Sequence, residues 1–526
     1  HRGVKGLTKD HPEPIVTLNS KDAKARNISQ GDMVTIETVR GKITMRARVT
    51  DDIAPGAIDA NHACGTPVGP KAWQETNVNE LTDLNQYDPI SGFPVYKCLL
   101  CDVQKTASNE QHKDLDKEQL PVISSCEISA DELSFAHYEK PEKIIYLDNN
   151  ATTVLSEPVK NSMKESLEVY GNPSSIHELG KMSRSTIDKA RRTVAQIIGT
   201  TAKRVIFTGS GSEANNLAIK GVAFASDAAK NHIITSEIEH PAVLKTCEWL
   251  EKNGFSVTYL PVDSYGLVEP ESLAKAITSK TALVSIMFAN NETGTIQPIQ
   301  ELVHIAHEMD VLFHTDAVQA FGKIPVSVKE LGIDLLSLSA HKVHGPKGVG
   351  ALFMRKGIAI EELISGGGQE HKLRAGTENI SGIVGFAKAC ESVDVYIKKA
   401  AETRSLRDLL EKGIAHLVPG YKLNGHRESR LPNTLNVTLP GFRGESIVMA
   451  MNKRGIYFSS GSACKSGSPL PSHALLAMGM SEEEAHCALR FSLGMDTTKE
   501  DIDLVLTLLE ETINESKNIV QFVPCR

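Results

Sequence analysis

No apolar run in this chain approaches the roughly 20 residues that span a bilayer; runs such as Ile286–Ala289 and Leu504–Leu509 are far shorter, so no membrane segment is expected. A basic excess is missing as well. Lys and Arg total 57 against 65 Asp and Glu, a net charge of −8, which argues against nucleic acid as the main partner. No charged-then-apolar leader opens the chain, so secretion has no support and a cytoplasmic location is expected. The chain begins at His1 rather than Met, and its natural start is expected upstream. Nine cysteines, an odd number scattered over the length, make no disulfide framework and fit reduced thiols.

What is present is ordinary soluble composition. The 526 residues are 40% hydrophobic and 23% charged, enough for roughly three globular units at about 150 residues each. Residues 1–104 carry short alternating runs, with Val34–Val39 and Ile43–Val49 expected as strands around a turn at Arg40-Gly41. Asn19 or Ser20 is placed to cap a short helix over Lys21–Arg26. Residues 105–143 are polar and charged and read as a linker. From residue 144 to 526, short apolar runs alternate with amphipathic stretches. Val205–Phe207, Ile233-Ile234, Ala282–Phe288, Val311–Phe313 and Leu335–Leu338 lack polar alternation, as strands of a mostly parallel sheet covered on both faces should. Thr497–Ser516 has the leucine spacing of an amphipathic helix. The expected class is therefore α/β behind a β-rich front domain.

Four polar residues, His240, Asn291, Asp316 and Lys342, fall just beyond the carboxyl ends of these runs, where open α/β sheets bind ligands. Thr208-Gly209-Ser210-Gly211-Ser212-Glu213 then leads into a helical pattern. Ser210 and Glu213 have capping-box spacing, and exposed N–H groups at a helix start favour an anion such as phosphate; a plain glycine-rich turn would read the same. In Ser339-Ala340-His341-Lys342-Val343-His344-Gly345-Pro346-Lys347, a lysine at a strand end could be a desolvated amine that forms a Schiff base. Local chemistry does not choose between Lys342 and Lys347. The Gly/Ser/Pro-rich stretch Phe458–Ser472 holds Cys464 beside Lys465, a setting for a thiolate nucleophile. Cys247, Cys390 and Cys487 lie in helix-like surroundings and are expected as buried structural thiols.

Together these segments resemble the cysteine desulfurases of the NifS/IscS class, fold type I enzymes that use pyridoxal phosphate. The resemblance runs from about Ile144 to Thr512 through Tyr146–Thr153, Gly171–Ser175, Glu239–Ala242, Asn290–Gly294, His314–Gln319, Ser339–Lys342, Arg374–Asn379, the Cys464 loop and Arg490–Gly494. It implies a mostly parallel large subdomain over about 152–400 and a smaller α+β one over 401–526 plus 144–151. It implies further that Lys342 bears the cofactor and that Asp316 pairs with the pyridinium nitrogen. His240 stacks on the ring and moves protons, Gln319 contacts the ring hydroxyl, and Asn291 lies beside the ring. Ser212, the Gly211 backbone, Ser339 and His341 hold the phosphate. Thr377 reaches the phosphate of a neighbouring subunit, which implies a homodimer, and Arg490 grips the carboxylate of L-cysteine. Cys464 takes the substrate sulfur as a persulfide and alanine leaves. The long loop resembles the subclass that feeds iron–sulfur scaffolds. One departure is local: Gly366–Glu370 is followed by His371-Lys372, where many relatives carry Arg-Gly.

The front zone resembles the molybdopterin dinucleotide-binding domain that closes formate dehydrogenases, a double-psi β-barrel, here lacking its first strand. The resemblance rests on His11–Pro14, Asn19–Ala23, Gly31–Val34, Arg40-Gly41, Ala47–Thr50, Pro55-Gly56, Asn77–Thr82, Pro89–Gly92 and Cys98–Val103. His62, Asn77 and Asn79 are candidate pterin contacts, with turn capping as the plain alternative. A lone Cys98-x-x-Cys101 pair near Cys64 lacks the second half of a zinc site, so no metal is expected. A formate dehydrogenase or other molybdoenzyme is a further candidate partner for the sulfur, with the front zone as an inert relic of gene fusion as the plain alternative. The rival readings are a pterin carrier built on a desulfurase scaffold, and a selenocysteine or cysteine-sulfinate lyase.

Overall fold

The computed structural model describes residues 15–37, 42–51, 58–60, 102–105, 141, 143–461 and 471–520. The chain divides into two units, His1–Glu139 and Lys140–Arg526.

The first unit holds a five-stranded sheet of β1 (Ile15–Asn19), β2 (Met33–Glu37), β3 (Lys42–Thr50), β4 (Ile58–Ala60) and β5 (Asp102–Lys105), in the order β4-β1-β3-β2-β5. Alternation sets its inner face: Val16 and Leu18, Val34 and Ile36, Met45 and Ala47 are all buried, closed over by Ala23 and Ile28. The expected helix spans Ser20–Ala25, and Asn19 is the cap, accepting from the Lys21 N–H at 2.9 Å. β2 and β3 pair antiparallel as expected. The Arg40-Gly41 turn, His62, Cys64, Asn77, Asn79, Cys98 and Cys101 lie outside the described residues.

The second unit opens with β6 (Ile145–Tyr146) and continues into a seven-stranded sheet. Its strands are β7 (Val205–Thr208), β8 (His232–Ser236), β9 (Ser256–Leu260), β10 (Thr281–Ser285), β11 (Leu312–Asp316), β12 (Leu335–Ser339) and β13 (Gly350–Met354), in the order β7-β13-β12-β11-β10-β8-β9. Only β13 runs antiparallel to its neighbours. Successive residues of one strand enter opposite cores. Ile206, Ile233, Leu283 and Leu335 pack with the helix Gly211–Ala225, while Phe207, Ile234, Val284 and Leu336 pack against helices on the other face. A strand with both faces dry has no polar positions to alternate, which is why the sequence pattern was unbroken. Within it, buried His314 bridges Ser285 Oγ at 2.8 Å and Ser337 Oγ at 2.9 Å, and burial pushes its pKa down to about 3.

Two strands of the large sheet escaped the sequence reading. β9 is an edge strand with mostly half-exposed side chains, and β13 is a short segment starting at a glycine. The run Ala282–Phe288 stops being a strand at Ser285, yet Ile286 N and Phe288 N still bond to His314 O and Asp316 O. That continuation holds Phe288 alongside Asp316 and leads into Asn290 and Asn291.

A four-stranded antiparallel sheet follows, made of β14 (Lys422–Leu423), β15 (Thr434–Thr438), β17 (Ser459–Ser460) and β18 (Ala488–Ser492) in the order β14-β15-β18-β17; β16 (Ile456–Tyr457) pairs with β6. Its core joins Ile145 and Leu147 to Leu410, Leu435, Phe491 and Leu509. The last helix runs Lys499–Val520, beginning two residues later than its pattern suggested and extending past Ser516.

The departure after Gly366–Glu370 has a conformational cost. Glu370, His371 and Lys372 have φ of 44°, 61° and 67°, a left-handed run of non-glycine residues. Each such residue costs about 1–2 kcal/mol relative to ordinary backbone. Glycine at 372 relieves that strain but gives back part of the gain through a looser unfolded chain. Lys372→Gly is therefore expected to stabilise by about 0.5–1 kcal/mol and to raise the melting temperature by roughly 1–3 °C in a thermal scan. A lowered midpoint counts against the strain.

Candidate active site

The carboxyl edge of the large sheet gathers the four residues singled out from sequence. Asp316 ends β11, His240 follows β8, Asn291 follows β10, and Lys342 ends the 3₁₀ turn Ala340–Lys342 after β12. His240 reports their proximity. Burial and the neighbouring Lys342 and His473 lower its pKa, while Asp316 pulls it up. Its Nδ1 accepts from Ala242 N at 3.1 Å as the cap of the helix Pro241–Glu251, so a neutral ring carries its proton on Nε2. Asp316 is buried; Oδ2 accepts from Asn215 Nδ2 at 2.6 Å and Oδ1 from Val318 N at 2.9 Å. Lys342 Nζ donates to Asn150 O at 2.5 Å and Ala151 O at 2.7 Å, whereas Lys347 is exposed.

Beside this group β7 feeds the helix Gly211–Ala225. Ser210 caps it through Glu213 N at 3.1 Å, but the capping box closes differently from its spacing: the Glu213 carboxylate takes Gly209 N at 2.8 Å and Arg374 Nε at 2.8 Å. Gly211 is tightly enclosed: a Cβ there would lie 2.8 Å from Val318 Cγ2 and 3.2 Å from Ser339 Cβ, so a larger residue would force those side chains to shift. Ser339 Oγ is buried with no hydrogen-bond partner. An unused hydroxyl beside a helix start, with Ser212 next to it, is a cradle for an anion. His341 Nδ1 meets Thr152 Oγ1 at 3.1 Å; burial, then Lys342 and Lys347, push its pKa to about 4, so its ring is neutral near pH 7. Thr377 is exposed, three residues beyond Arg374, which ties this segment to Glu213.

Arg490 on β18 is buried and enters from the smaller sheet. Nη2 donates to Asp148 Oδ1 at 2.6 Å and Ser459 Oγ at 3.1 Å, Nη1 donates to Asn291 O at 3.2 Å, and Nε has no partner. Gln319 Nε2 donates to Asn150 O at 2.9 Å. Cys464 lies outside the described residues. The described residues continue from Pro471. Ser472 donates to the buried Glu292 carboxylate and caps the helix His473–Ala477, while His473 Nε2 donates to Glu239 O at 2.9 Å. Cys247, Cys390 and Cys487 are buried and unpaired, and burial raises the Cys247 thiol to about 12.

Sequence reading missed four contributors. Asn150 is a hub, receiving Gln319 and Lys342 on its carbonyl and giving its own amide to Asn291 O and Thr434 Oγ1. Glu239 is held protonated near neutrality, its pKa raised by burial to about 8, and burial raises Glu292 too. Lys323 reaches Asn150 and Gln319. Asparagine and loop lysine carry no sequence signal of such roles.

A paired carboxylate, an amine at a strand end and an anion cradle at a helix start define a pyridoxal-phosphate site of fold type I, and the donors present fit that group. Residues 145–505 match the family Aminotransferase class-V, and residues 1–100 match the Molydopterin dinucleotide binding domain. A "Cysteine desulfurase IscS" of Methanosarcina thermophila is 51% identical over 384 residues, covering 73% of this chain and 95% of that relative. A solved "NIFS-LIKE PROTEIN" is 42% identical, with TM-score 0.67, over 71% of this chain and all of the other. A structure titled "SspA in complex with cysteine" is 39% identical, with TM-score 0.59, over 66% of this chain and 98% of the other. The chain belongs to the cysteine desulfurase family of pyridoxal-phosphate-dependent class-V enzymes, with a pterin-binding-type domain fused in front. Among the described residues no helix is long and apolar enough to cross a membrane.

Proposed function

We propose that this cysteine desulfurase converts L-cysteine to L-alanine and stores the sulfur on Cys464. The observation that carries the reading is the meeting of His240, Asp316 and Lys342 beside the Gly211 helix start. Lys342 is the amine that holds the cofactor covalently. Asp316, fixed by Asn215 and Val318, keeps the ring nitrogen protonated. Gly211, Ser212, Ser339 and His341 hold the phosphate, and Asn291 and Gln319 flank the ring. Pyridoxal phosphate, when bound, supplies an electron sink for the substrate α-carbon. His240, with its proton on Nε2, would lie against the bound ring and move protons there. Arg490, oriented by Asp148, offers its spare Nε–H to the substrate carboxylate. The Cys464 thiolate then attacks the substrate sulfur; the carbon–sulfur bond breaks, a sulfur–sulfur bond forms, and a proton returns to the carbon that becomes alanine.

The solvent-facing apolar side chains Leu167 (67% exposed), Tyr170 (75%) and Ile176 (91%) favour a homodimer, in which Thr377 reaches the phosphate held by the neighbouring subunit. Unpaired cysteines favour a cytoplasmic home. The acceptor of the sulfur is an iron–sulfur scaffold, by resemblance of the long Cys464 loop. The match of residues 1–100 favours a second acceptor, a molybdoenzyme such as formate dehydrogenase; failure of any such enzyme to copurify in a pull-down counts against it.

Incubation with L-cysteine tests the core reading. The wild type is expected to release alanine and to carry persulfide, while Cys464→Ala loses both by roughly a hundredfold or more and keeps its bound cofactor. Alanine release that survives Cys464→Ala would falsify the desulfurase route in favour of a lyase with another leaving group.

A further inference from the structure

Lys323 follows Gly322 in the turn after β11. In the structure its stem is half-buried and its amine is enclosed, and loss of water pushes its pKa well below the usual lysine range. The cations Lys342 and Arg490 add to that push, and the His344 ring also lies near enough to sense Lys323. Lys323 and Lys342 line one cavity of about 40 Å³. Both hydrogen-bond partners of the amine are amide oxygens: Nζ meets Asn150 Oδ1 at 2.7 Å and Gln319 Oε1 at 2.6 Å. Amide oxygens only accept, so Lys323 donates to both whether or not it is charged.

That donation has a directional consequence. A free glutamine amide can turn over and present either its oxygen or its nitrogen to a ligand. With Oε1 occupied by Lys323, the Gln319 nitrogen faces away from it and donates to Asn150 O at 2.9 Å. The same carbonyl receives Lys342 Nζ, so one bracing amine fixes both the Gln319 amide and the Asn150 residue on which Lys342 rests.

We infer that Lys323 is a positioning residue of the active site, locking Gln319 so that it presents N–H and not C=O to the hydroxyl of the pyridoxal ring. The inference rests on the reading of Gln319 as the residue that contacts that hydroxyl. An N–H donor favours the ionised hydroxyl and a carbonyl disfavours it, so the lock tunes the protonation of the bound cofactor as well as its affinity.

The test uses full-length protein and pyridoxal phosphate itself, with two readouts apart from turnover: the pH midpoint of the bound cofactor's absorbance and the Kd of the apoprotein for it. Lys323→Met, which keeps the stem and removes the donor, is expected to shift the midpoint by about one pH unit and weaken Kd about tenfold. Lys323→Gln retains an N–H donor without charge and is expected to recover most of both. Gln319→Leu should reproduce the Lys323→Met defect, and the double variant should be no worse than either single one. Wild-type midpoint and affinity in Lys323→Met overturn the inference while leaving the cofactor site intact. Equal defects in Lys323→Met and Lys323→Gln also overturn it, because charge and not orientation would then be acting. A Gln319→Leu variant that changes neither readout removes the underlying reading of Gln319 and the inference together. Should Lys323→Met fail to fold, comparison of Lys323→Gln with Gln319→Leu decides by the same criteria.

Discussion

Lys342→Ala is expected to abolish alanine release from L-cysteine, by roughly a thousandfold or more, while the protein stays folded and still takes up pyridoxal phosphate. The reason is the division of labour in the site. The anion cradle at Gly211, Ser212 and Ser339 and the Asp316 contact are independent of the lysine, so binding persists without it. What disappears is the amine that, on the proposed reading, joins the aldehyde and is displaced by substrate. Truncation frees the Asn150 and Ala151 carbonyls, but Asn150 O keeps its bond from Gln319 at 2.9 Å, so little structural loss is expected. Lys347→Ala is the matched control. That residue belongs to the same loop and is exposed, and its removal is expected to leave turnover within about twofold. Absorbance of the bound cofactor and alanine release, measured on all three proteins, decide the matter. Loss of turnover in Lys347→Ala with survival in Lys342→Ala would move the covalent role to Lys347.

Most of the large sheet was legible because burial on both faces writes itself into sequence as unbroken apolar runs. Ile206 and Phe207 serve two different cores, and so do Leu335 and Leu336. Where that condition lapses, the signal lapses. β9, at the edge, exposes Ser256 and half-exposes Val257, Thr258 and Tyr259, and β13 is five residues opened by a glycine. The site was legible for a related reason. Strand ends fix where functional side chains emerge, so Asp316 and Lys342 could be placed from the apolar runs that precede them. Residues that act on other residues left no such mark. Asn150 and Lys323 belong to no strand end, and their roles depend on contacts between segments over a hundred positions apart. The pairing of Ser472 with Glu292 depends on the same kind of long closure. Glu213 illustrates the limit most sharply: its spacing from Ser210 is that of a capping box, but the carboxylate is drawn away to Gly209 N and Arg374.

Glu370→Gln is expected to destabilise the second unit by about 3–5 kcal/mol, the largest stability loss anticipated for a residue outside the site. Glu370 sits at the start of the left-handed run and its carboxylate is almost fully enclosed with Arg191; the side chains are 2% and 9% exposed. The pair is bidentate, with Arg191 Nη1 and Nη2 at 2.5 and 2.7 Å from the two oxygens, and Oε2 also accepts Phe207 N at 2.8 Å. The guanidinium lies 4.8 Å from the centre of the Phe207 ring. Glutamine can still accept from Phe207, but it leaves a buried cation without its counter-charge, and that desolvation is what dominates the loss. Arg191→Met should cost a similar amount by stranding the carboxylate instead. The double variant, Arg191→Met with Glu370→Gln, removes both charges and should lose clearly less than the sum of the two, giving a coupling of about 2–3 kcal/mol in urea unfolding. Because Glu370 grips the strand that feeds the Gly211 helix, the single variants should also bind pyridoxal phosphate more weakly than the double one. Additive losses in the cycle would mean that the ion pair merely fills space, and that the left-handed turn at Glu370–Lys372 is held by something else.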